Sequence, residues 1–416
     1  MSKVRPVRGT HDLIGDEARL HLHVAETQRG ITQCYGYDPI ATPIFEFTDV
    51  FARTLGDVSD IVTKEMYTFE DRGGERLTLR PENTAGVARA IISGGLGQNV
   101  PLRYFYHGPM FRYERPQKGR LRQFHQTGVE LIGAAEPLAD VEVIAIGQHI
   151  LDQLGLVGRI ELQLNSLGDP ESRAAYRDAL VAYLEGYKSD LSQDSQSRLN
   201  RNPLRILDSK NPRDQEIVQD APAIAQSMND ASKAFFDAVQ ENLQKLGIAY
   251  KLNPALVRGL DYYTHTTFEF VTTELGAQGA VIAGGRYDGL ISLMGGANIP
   301  GVGWASGVER MAMLVGTPPA KPAPIALIPI GPNAEAAAAT LAKTLRYAGH
   351  CVDFAFKGKA GQRMKRADKI GAKLAISFGD DELAQNQVKI RDLSTREETI
   401  VALDGVAGWL TAKAGT

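Results

Sequence analysis

Cysteine is almost absent. The chain of 416 residues holds two, Cys34 and Cys351, far apart in sequence. Neither a disulfide framework nor a cysteine-type zinc site can be built from them, and a reducing, cytoplasmic setting fits. Net charge is nearly absent too, at −3. The surface as a whole does not advertise nucleic-acid binding, so any such contact must come from local patches. No apolar run reaches the length that spans a bilayer, and no membrane contact is expected. Met1 to Arg8 contain no apolar stretch, so no signal peptide is expected. No G-x-G-x-x-G with a following ribose-binding acid occurs, and no Walker lysine motif, which excludes the usual dinucleotide and P-loop readings. The eight histidines show no metal-ligand spacing, and no metal ligands are assigned. No internal repeat or low-complexity tract stands out.

What is present is ordinary for a globular protein: 43% hydrophobic and 23% charged residues, over a length that suits two or three domains. The informative residues are concentrated in three places. Val257 to Tyr263 reads Val-Arg-Gly-Leu-Asp-Tyr-Tyr and runs on through Phe270 with period-two alternation. A strand there sends Arg258, Leu260 and Tyr262 to one face and Asp261 and Tyr263 to the other. Phe111 to Glu130 is a second constellation. An aromatic approach strand, Leu102 to Met110, leads to a charged loop carrying Arg112, Arg115, Lys118, Arg120 and Arg122, and Gln123 to Ile132 returns. Pro116 and Gly119 mark the turn. The forked donors of arginine suit phosphate oxygens, although a solvated, ion-paired hairpin tip fits the same residues. The third place is Gly301 to Arg310, where small residues let a helix start pack against a sheet.

Around these, residues 16–35 read as a helix and Tyr37 to Phe47 as a strand. Met66 to Phe69 and Glu75 to Arg80 flank a hairpin turn at Asp71 to Gly74. Asn83 and Thr84 can cap a helix running to about Ile92. Pro137 to Leu154 reads as a helix and Ile160 to Asn165 as a strand. Mostly antiparallel strands with segregated helices argue for an α+β domain. From about 168 to 250 the texture is polar and helical. A proline-rich linker follows at 316–324. Beyond it, strands at Ile325 to Ile330, Cys351 to Phe356, Leu374 to Phe378 and Gln387 to Asp392 alternate with helices at Ala334 to Gly349 and Gly361 to Ile370, which describes a small α/β domain. Lys357, Lys359, Arg363, Lys365, Arg366, Lys369 and Lys373 form its basic cluster, which also fits a solvated helix face.

These elements, in this order, resemble the class II aminoacyl-tRNA synthetases, and within them the bacterial histidyl-tRNA synthetases. Pro43 looks like the proline of class II motif 1, Phe111 to Glu130 like motif 2 and Gly301 to Arg310 like motif 3. Leu256 to Tyr263 and Ala283 to Gly289 look like the two histidine-specific signatures. The resemblance covers nearly the whole chain, including Arg8 to Asp12 and Thr78 to Ala85. It implies an α+β catalytic domain over 1–320, with an antiparallel class II sheet flanked by helices and a helical insertion at about 168–250. It implies a C-terminal α/β anticodon-binding domain over 325–416. The implied activity is histidine–tRNA ligation with ATP and Mg²⁺, on tRNA(His) and L-histidine, by a cytoplasmic homodimer.

The resemblance also implies roles. Arg258 and Arg112 are the catalytic candidates. Arg112, Glu114, Arg120, Phe124 and Arg310 are candidates for ATP. Glu82, Thr84, Gln126, Glu130, Tyr262 and Tyr263 are candidates for histidine, with Glu82, Thr84 and Gln126 toward the ammonium and Glu130 and Tyr263 toward the imidazole. Arg115 and Gln117 are candidates for the tRNA acceptor end. Two alternatives stay open. One is a non-catalytic relative of the kind that regulates ATP phosphoribosyltransferase. The other is a class II synthetase for another amino acid.

Overall fold

A computed structural model describes residues 3–55, 61–117, 119–207, 209–257, 262–276 and 279–414. The chain divides into two compact units, Met1–Pro319 and Ala320–Thr416. In chain order the first unit has strands β1 (Asp38–Pro39), β2 (Phe45–Phe47), β3 (Tyr67–Glu70), β4 (Arg76–Leu79), β5 (Leu102–Phe111), β6 (Gln123–Ile132), β7 (Glu161–Ser166), β8 (Lys251–Leu252), β9 (Thr264–Val271), β10 (Ala280–Arg286) and β11 (Gly301–Gly307). Eight of these form one sheet in the order β1-β5-β6-β11-β10-β9-β7-β8. Its interior pairs are antiparallel, and only the edge pairs β1–β5 and β7–β8 are parallel. β2, β4 and β3 make a small separate sheet.

Alternation along the strands decides what each face of the large sheet does. Val129 and Leu131 of β6, Val302 and Trp304 of β11, Ile282 of β10 and Phe268 and Phe270 of β9 join one apolar cluster. Helices Asp16–Cys34, Pro137–Gln153, Asp230–Lys245 and Val308–Val315 complete it through Val24, Ile144, Val239 and Met311. Burying each such side chain contributes about 1.5–3 kcal/mol, so this face is the rigid one. Trp304 is pinned further, its Nε1 donating to the Val143 carbonyl at 2.9 Å. The opposite parity, Phe124, Gln126, Gly128 and Glu130 of β6, is left for the cavity described below.

Two strand expectations are corrected. Tyr37 to Phe47 is not one strand but β1 and β2 with a break between them. Pro39 and Pro43 offer no N–H to a ladder, which ends the pairing. The alternation expected from Val257 onward begins only at Thr264. Tyr262 and Tyr263 precede the strand, and their rings lie 4.6 Å apart, both buried, rather than on opposite faces.

The polar helical segment contains helices Pro170–Glu185, Gln193–Leu199 and Pro212–Gln219. Asp214 ties the last two together: its buried carboxylate accepts from the hydroxyls of Ser192, Ser195 and Ser209, each at 2.6 Å. Among the described residues, no helix is long and apolar enough to cross a membrane.

The second unit has β12 (Ile325–Ile330), β13 (Val352–Phe354), β14 (Leu374–Gly379), β15 (Gln387–Asp392) and β16 (Glu398–Ala402), in the order β13-β12-β14-β15-β16. Helices Pro332–Tyr347, Ala360–Lys369 and Val406–Ala414 accompany them. The expected basic cluster is smaller than its sequence. Arg363 is buried, donating to the Pro329 carbonyl at 3.1 Å and pairing with Glu335. Arg366 pairs with Asp353 at 2.8 Å. The five lysines, Lys357, Lys359, Lys365, Lys369 and Lys373, remain exposed.

Candidate active site

A cavity of about 380 Å³ opens on the polar face of the large sheet. Residues from the hairpin β5–β6, from β9, β10 and β11 and from the helix Val308–Val315 line it. It brings together Glu82, Thr84, Gln126, Tyr262 and Tyr263 with Arg112, Glu114, Arg120, Phe124 and Arg310. These are ten of the sequence candidates, drawn from segments far apart in the chain.

At one end the groups suit a small polar molecule. Glu82 turns its carboxylate onto the start of the helix Thr84–Ser93, accepting from the N–H of Thr84 at 2.7 Å and of Ala85 at 3.0 Å. Asn83, the expected cap, instead accepts from the Thr42 hydroxyl at 2.6 Å and from Arg80 at 3.2 Å. Burial pushes the Glu82 carboxyl above its ordinary value, against those two backbone donors.

Glu130 lies just beneath the floor. It is 1% exposed, one carboxylate oxygen accepting from the Thr84 hydroxyl at 2.7 Å and the other from the Tyr287 hydroxyl. Burial raises it to about 8, with Glu82 pushing in the same direction and the two hydroxyls opposing. β11 pairs Gly303 with Glu130, and a Cβ on Gly303 would overlap that carboxylate. The small residues of β11 are therefore what makes room for a buried acid.

At the other end the charge is positive. Arg112 donates from Nε to the Pro81 carbonyl at 2.9 Å, and its guanidinium carbon lies 5.3 Å from the Phe124 ring centroid. Arg120 pairs with Glu114. Arg310 reaches across from its helix to the Gly119 carbonyl at 3.2 Å and the Ala280 carbonyl at 2.9 Å. Burial lowers its pKa, and the charges of Arg112 and Arg120 lower it further. Like charges held this close create a field that a polyanion relieves.

Two candidates fall elsewhere. Arg115 and Gln117 sit exposed on the hairpin tip, outside the cavity. Arg258 lies outside the described residues, as do Lys118 and Asp261. Three polar lining residues, Tyr287, Glu269 and Glu309, were not assigned roles from the sequence. Tyr287 belongs to the Gly284–Gly289 stretch already singled out, and Glu269 stands on β9. In the same stretch Arg286 proves structural. It is fully buried and pairs with Asp140, its Nε donating at 3.0 Å, and with Asp288 at 3.1 Å.

A family model described as histidyl-tRNA synthetase matches residues 9–311, and one described as anticodon binding domain matches residues 325–413. The chain belongs to the histidyl-tRNA synthetase family. It is 61% identical over 404 residues to the histidine–tRNA ligase of Rhodospirillum rubrum, covering 97% of each chain. It is 54% identical over 415 residues to that of Gluconacetobacter diazotrophicus, covering 100% of each. The crystal structure of apo S. aureus histidyl-tRNA synthetase matches with a TM-score of 0.83 at 35% identity, over 98% of this chain and 99% of that one.

Proposed function

We propose that the chain is a histidine–tRNA ligase. It joins L-histidine to ATP as histidyl-adenylate and then transfers histidine to the 3′ end of tRNA(His). The observation that carries this is the pairing, in one cavity, of a buried acid under a small polar pocket with a crowded set of arginines. Family membership over both units supports it.

In activation, a carboxylate oxygen of histidine forms a bond to the α-phosphorus of ATP, and pyrophosphate leaves with the electron pair of the broken P–O bond. The protein's task is to position two anions and offset their charge. Arg112 takes the α-phosphate and Arg310 the γ-phosphate end. Glu114 and Arg120 meet the nucleoside side, and Phe124 offers its ring to the adenine. Arg258 sits near the reacting carboxylate in this reading, a role that rests on the resemblance alone.

Glu82, Thr84 and Gln126 accept from the substrate ammonium. Glu130, with Tyr263, meets the two imidazole nitrogens, and Tyr262 lines the pocket. An acid under this pocket selects a hydrogen-bonding side chain over an apolar one. Mg²⁺ fits the ATP end, where Glu114 and Glu269 line the cavity. Magnesium commonly rests on one or two carboxylates plus substrate phosphates, and it would there offset phosphate charge. In transfer, the terminal adenosine hydroxyl attacks the acyl carbon and AMP leaves.

In this reading Arg115 and Gln117 meet the acceptor end of the tRNA. The helical segment at about 168–250 is the insertion that accompanies that end, and the exposed lysines of the second unit serve the anticodon side. A cytoplasmic homodimer completes the reading. A second unit matching an anticodon-binding domain disfavours the regulatory alternative. The test is amino-acid-dependent exchange of pyrophosphate into ATP. Exchange with histidine alone is the expected result. Exchange with another amino acid, or none with histidine, overturns it.

A further inference from the structure

β6 has a second polar feature, carried by residues of the opposite parity to Phe124 and Gln126, and it shares Glu309 with the active-site cavity. His125 and Thr127 point between the helix Asp16–Cys34 and the helix Val308–Val315. His125 meets His21 from the first helix, their ring centroids 4.6 Å apart, and Glu309 from the second. One Glu309 oxygen lies 2.9 Å from His125 Nδ1 and 3.5 Å from His21 Nε2. The backbone N–H of His125 donates to both Glu309 oxygens, at 2.9 and 3.0 Å, which fixes the carboxylate in place. His21 is 7% exposed, and among the described residues its Nε2 makes no hydrogen bond, its one ion-pair contact being the long 3.5 Å approach to Glu309. A buried ring nitrogen without a partner is costly, and native structures seldom leave one so without cause.

We propose that His21, His125 and Glu309 form a binding site for a divalent transition metal, Zn²⁺ before the others. Their ligand atoms all lie within 4.8 Å of one another. Tetrahedral bonds of about 2.0–2.2 Å to imidazole nitrogen and carboxylate oxygen set the ligand atoms about 3.4 Å apart, so the widest pair must close by roughly an ångström, which side-chain rotation can supply. Two imidazoles and one carboxylate are a donor set that zinc accepts, with a fourth position left for water or another side chain. Hard cations such as Mg²⁺ and Ca²⁺ prefer all-oxygen sites, and soft Cu(I) prefers sulfur. His107 stands nearby, its ring centroid 6.4 Å from that of His21 and 6.1 Å from that of His125, and is the candidate for the fourth position.

An ion can enter through a cavity of about 260 Å³ bounded by Thr10, His11, Asp12, Gln123, His125 and Glu309. The site ties three elements together, and one of them carries Arg310 next to Glu309. A bound metal therefore braces the helix that delivers an arginine to the nucleotide end of the active site.

The test uses the full chain, stripped with a chelator and then titrated with Zn²⁺ by calorimetry, beside the His21→Phe variant. Of the three ligands only Glu309 borders the active-site cavity; His21 does not line it. The expected result is one high-affinity Zn²⁺ per chain, weakened at least about tenfold in the variant. Zinc at a hundred times its Kd also raises the folded-to-unfolded ratio of the native chain about a hundredfold, read as a rise in Tm that the variant lacks. Equal affinity in both proteins, or no binding to the native chain, overturns the proposal. A second measurement is independent of whether the variant folds. A zinc-edge anomalous difference map, from crystals of the native chain grown with Zn²⁺, is expected to show a peak among His21, His125 and Glu309. A map with no peak there overturns the site.

Discussion

Glu130→Gln separates the two consequences of burying an acid under the histidine pocket. In the folded chain burial raises this carboxyl to about 8 from an ordinary 4.5. A raised carboxyl stabilises the fold at low pH, where both states hold the proton. That stability is lost as pH rises from 4.5 toward 8, because the unfolded chain releases a proton that the folded chain keeps. At 1.36 kcal/mol per pH unit, the native chain loses about 2–3 kcal/mol relative to the glutamine variant between pH 5 and pH 7. Glutamine keeps the shape, and the hydroxyls of Thr84 and Tyr287 can still meet its amide. Urea unfolding of both proteins at the two pH values measures the difference, and subtracting one from the other cancels groups that they share. Histidine binding is the second readout. Losing this acid as a hydrogen-bond partner for the imidazole costs about 0.5–1.5 kcal/mol, roughly a 2–10-fold rise in Kd, while ATP binding is unchanged. A stability difference that does not change with pH would refute the burial argument. Equal loss of histidine and ATP binding would remove Glu130 from the side-chain pocket.

Arg258→Ala is expected to slow adenylate formation at least about a hundredfold, the order of one lost electrostatic stabiliser, and near-normal pyrophosphate exchange would contradict its role. Arg310→Gln removes one of three crowded charges, so the KM for ATP should rise about tenfold or more with little change in histidine binding; an effect on histidine alone would move Arg310 from the phosphate end. Gly303→Ala places a methyl group where the Glu130 carboxylate lies, and should cost about 1–3 kcal/mol in unfolding experiments and most of the histidine-dependent exchange. Arg286→Met strands the buried Asp140 charge and should lower stability by about 3–5 kcal/mol, whereas replacing both partners by apolar residues should recover much of that loss.

Which parts were legible in the sequence follows from what each part depends on. β5 and β6 matched the expected hairpin because their bounds are set locally, by an aromatic run, a Pro-Gly turn and a return strand. Period two then placed Phe124, Gln126 and Glu130 on one face. Tyr262 and Tyr263 broke the same rule. Their alternation is real in the sequence, but the chain enters β9 only at Thr264, so both rings turn into one pocket. Arg363 and Arg286 were hidden for another reason. An arginine looks alike whether it meets solvent, a phosphate or a buried carboxylate, and only tertiary contact with Glu335 or Asp140 decides. The His21–His125–Glu309 cluster has no spacing at all, since its members come from a helix, a strand and a second helix that meet only after the sheet forms. Glu130 lies between these cases. Its place at the pocket was implied by the resemblance, but its raised pKa was not readable, because that depends on Thr84, Tyr287 and Gly303 closing over it. Chemistry carried by one strand can be read from a pattern, and chemistry that needs several elements to exclude water cannot.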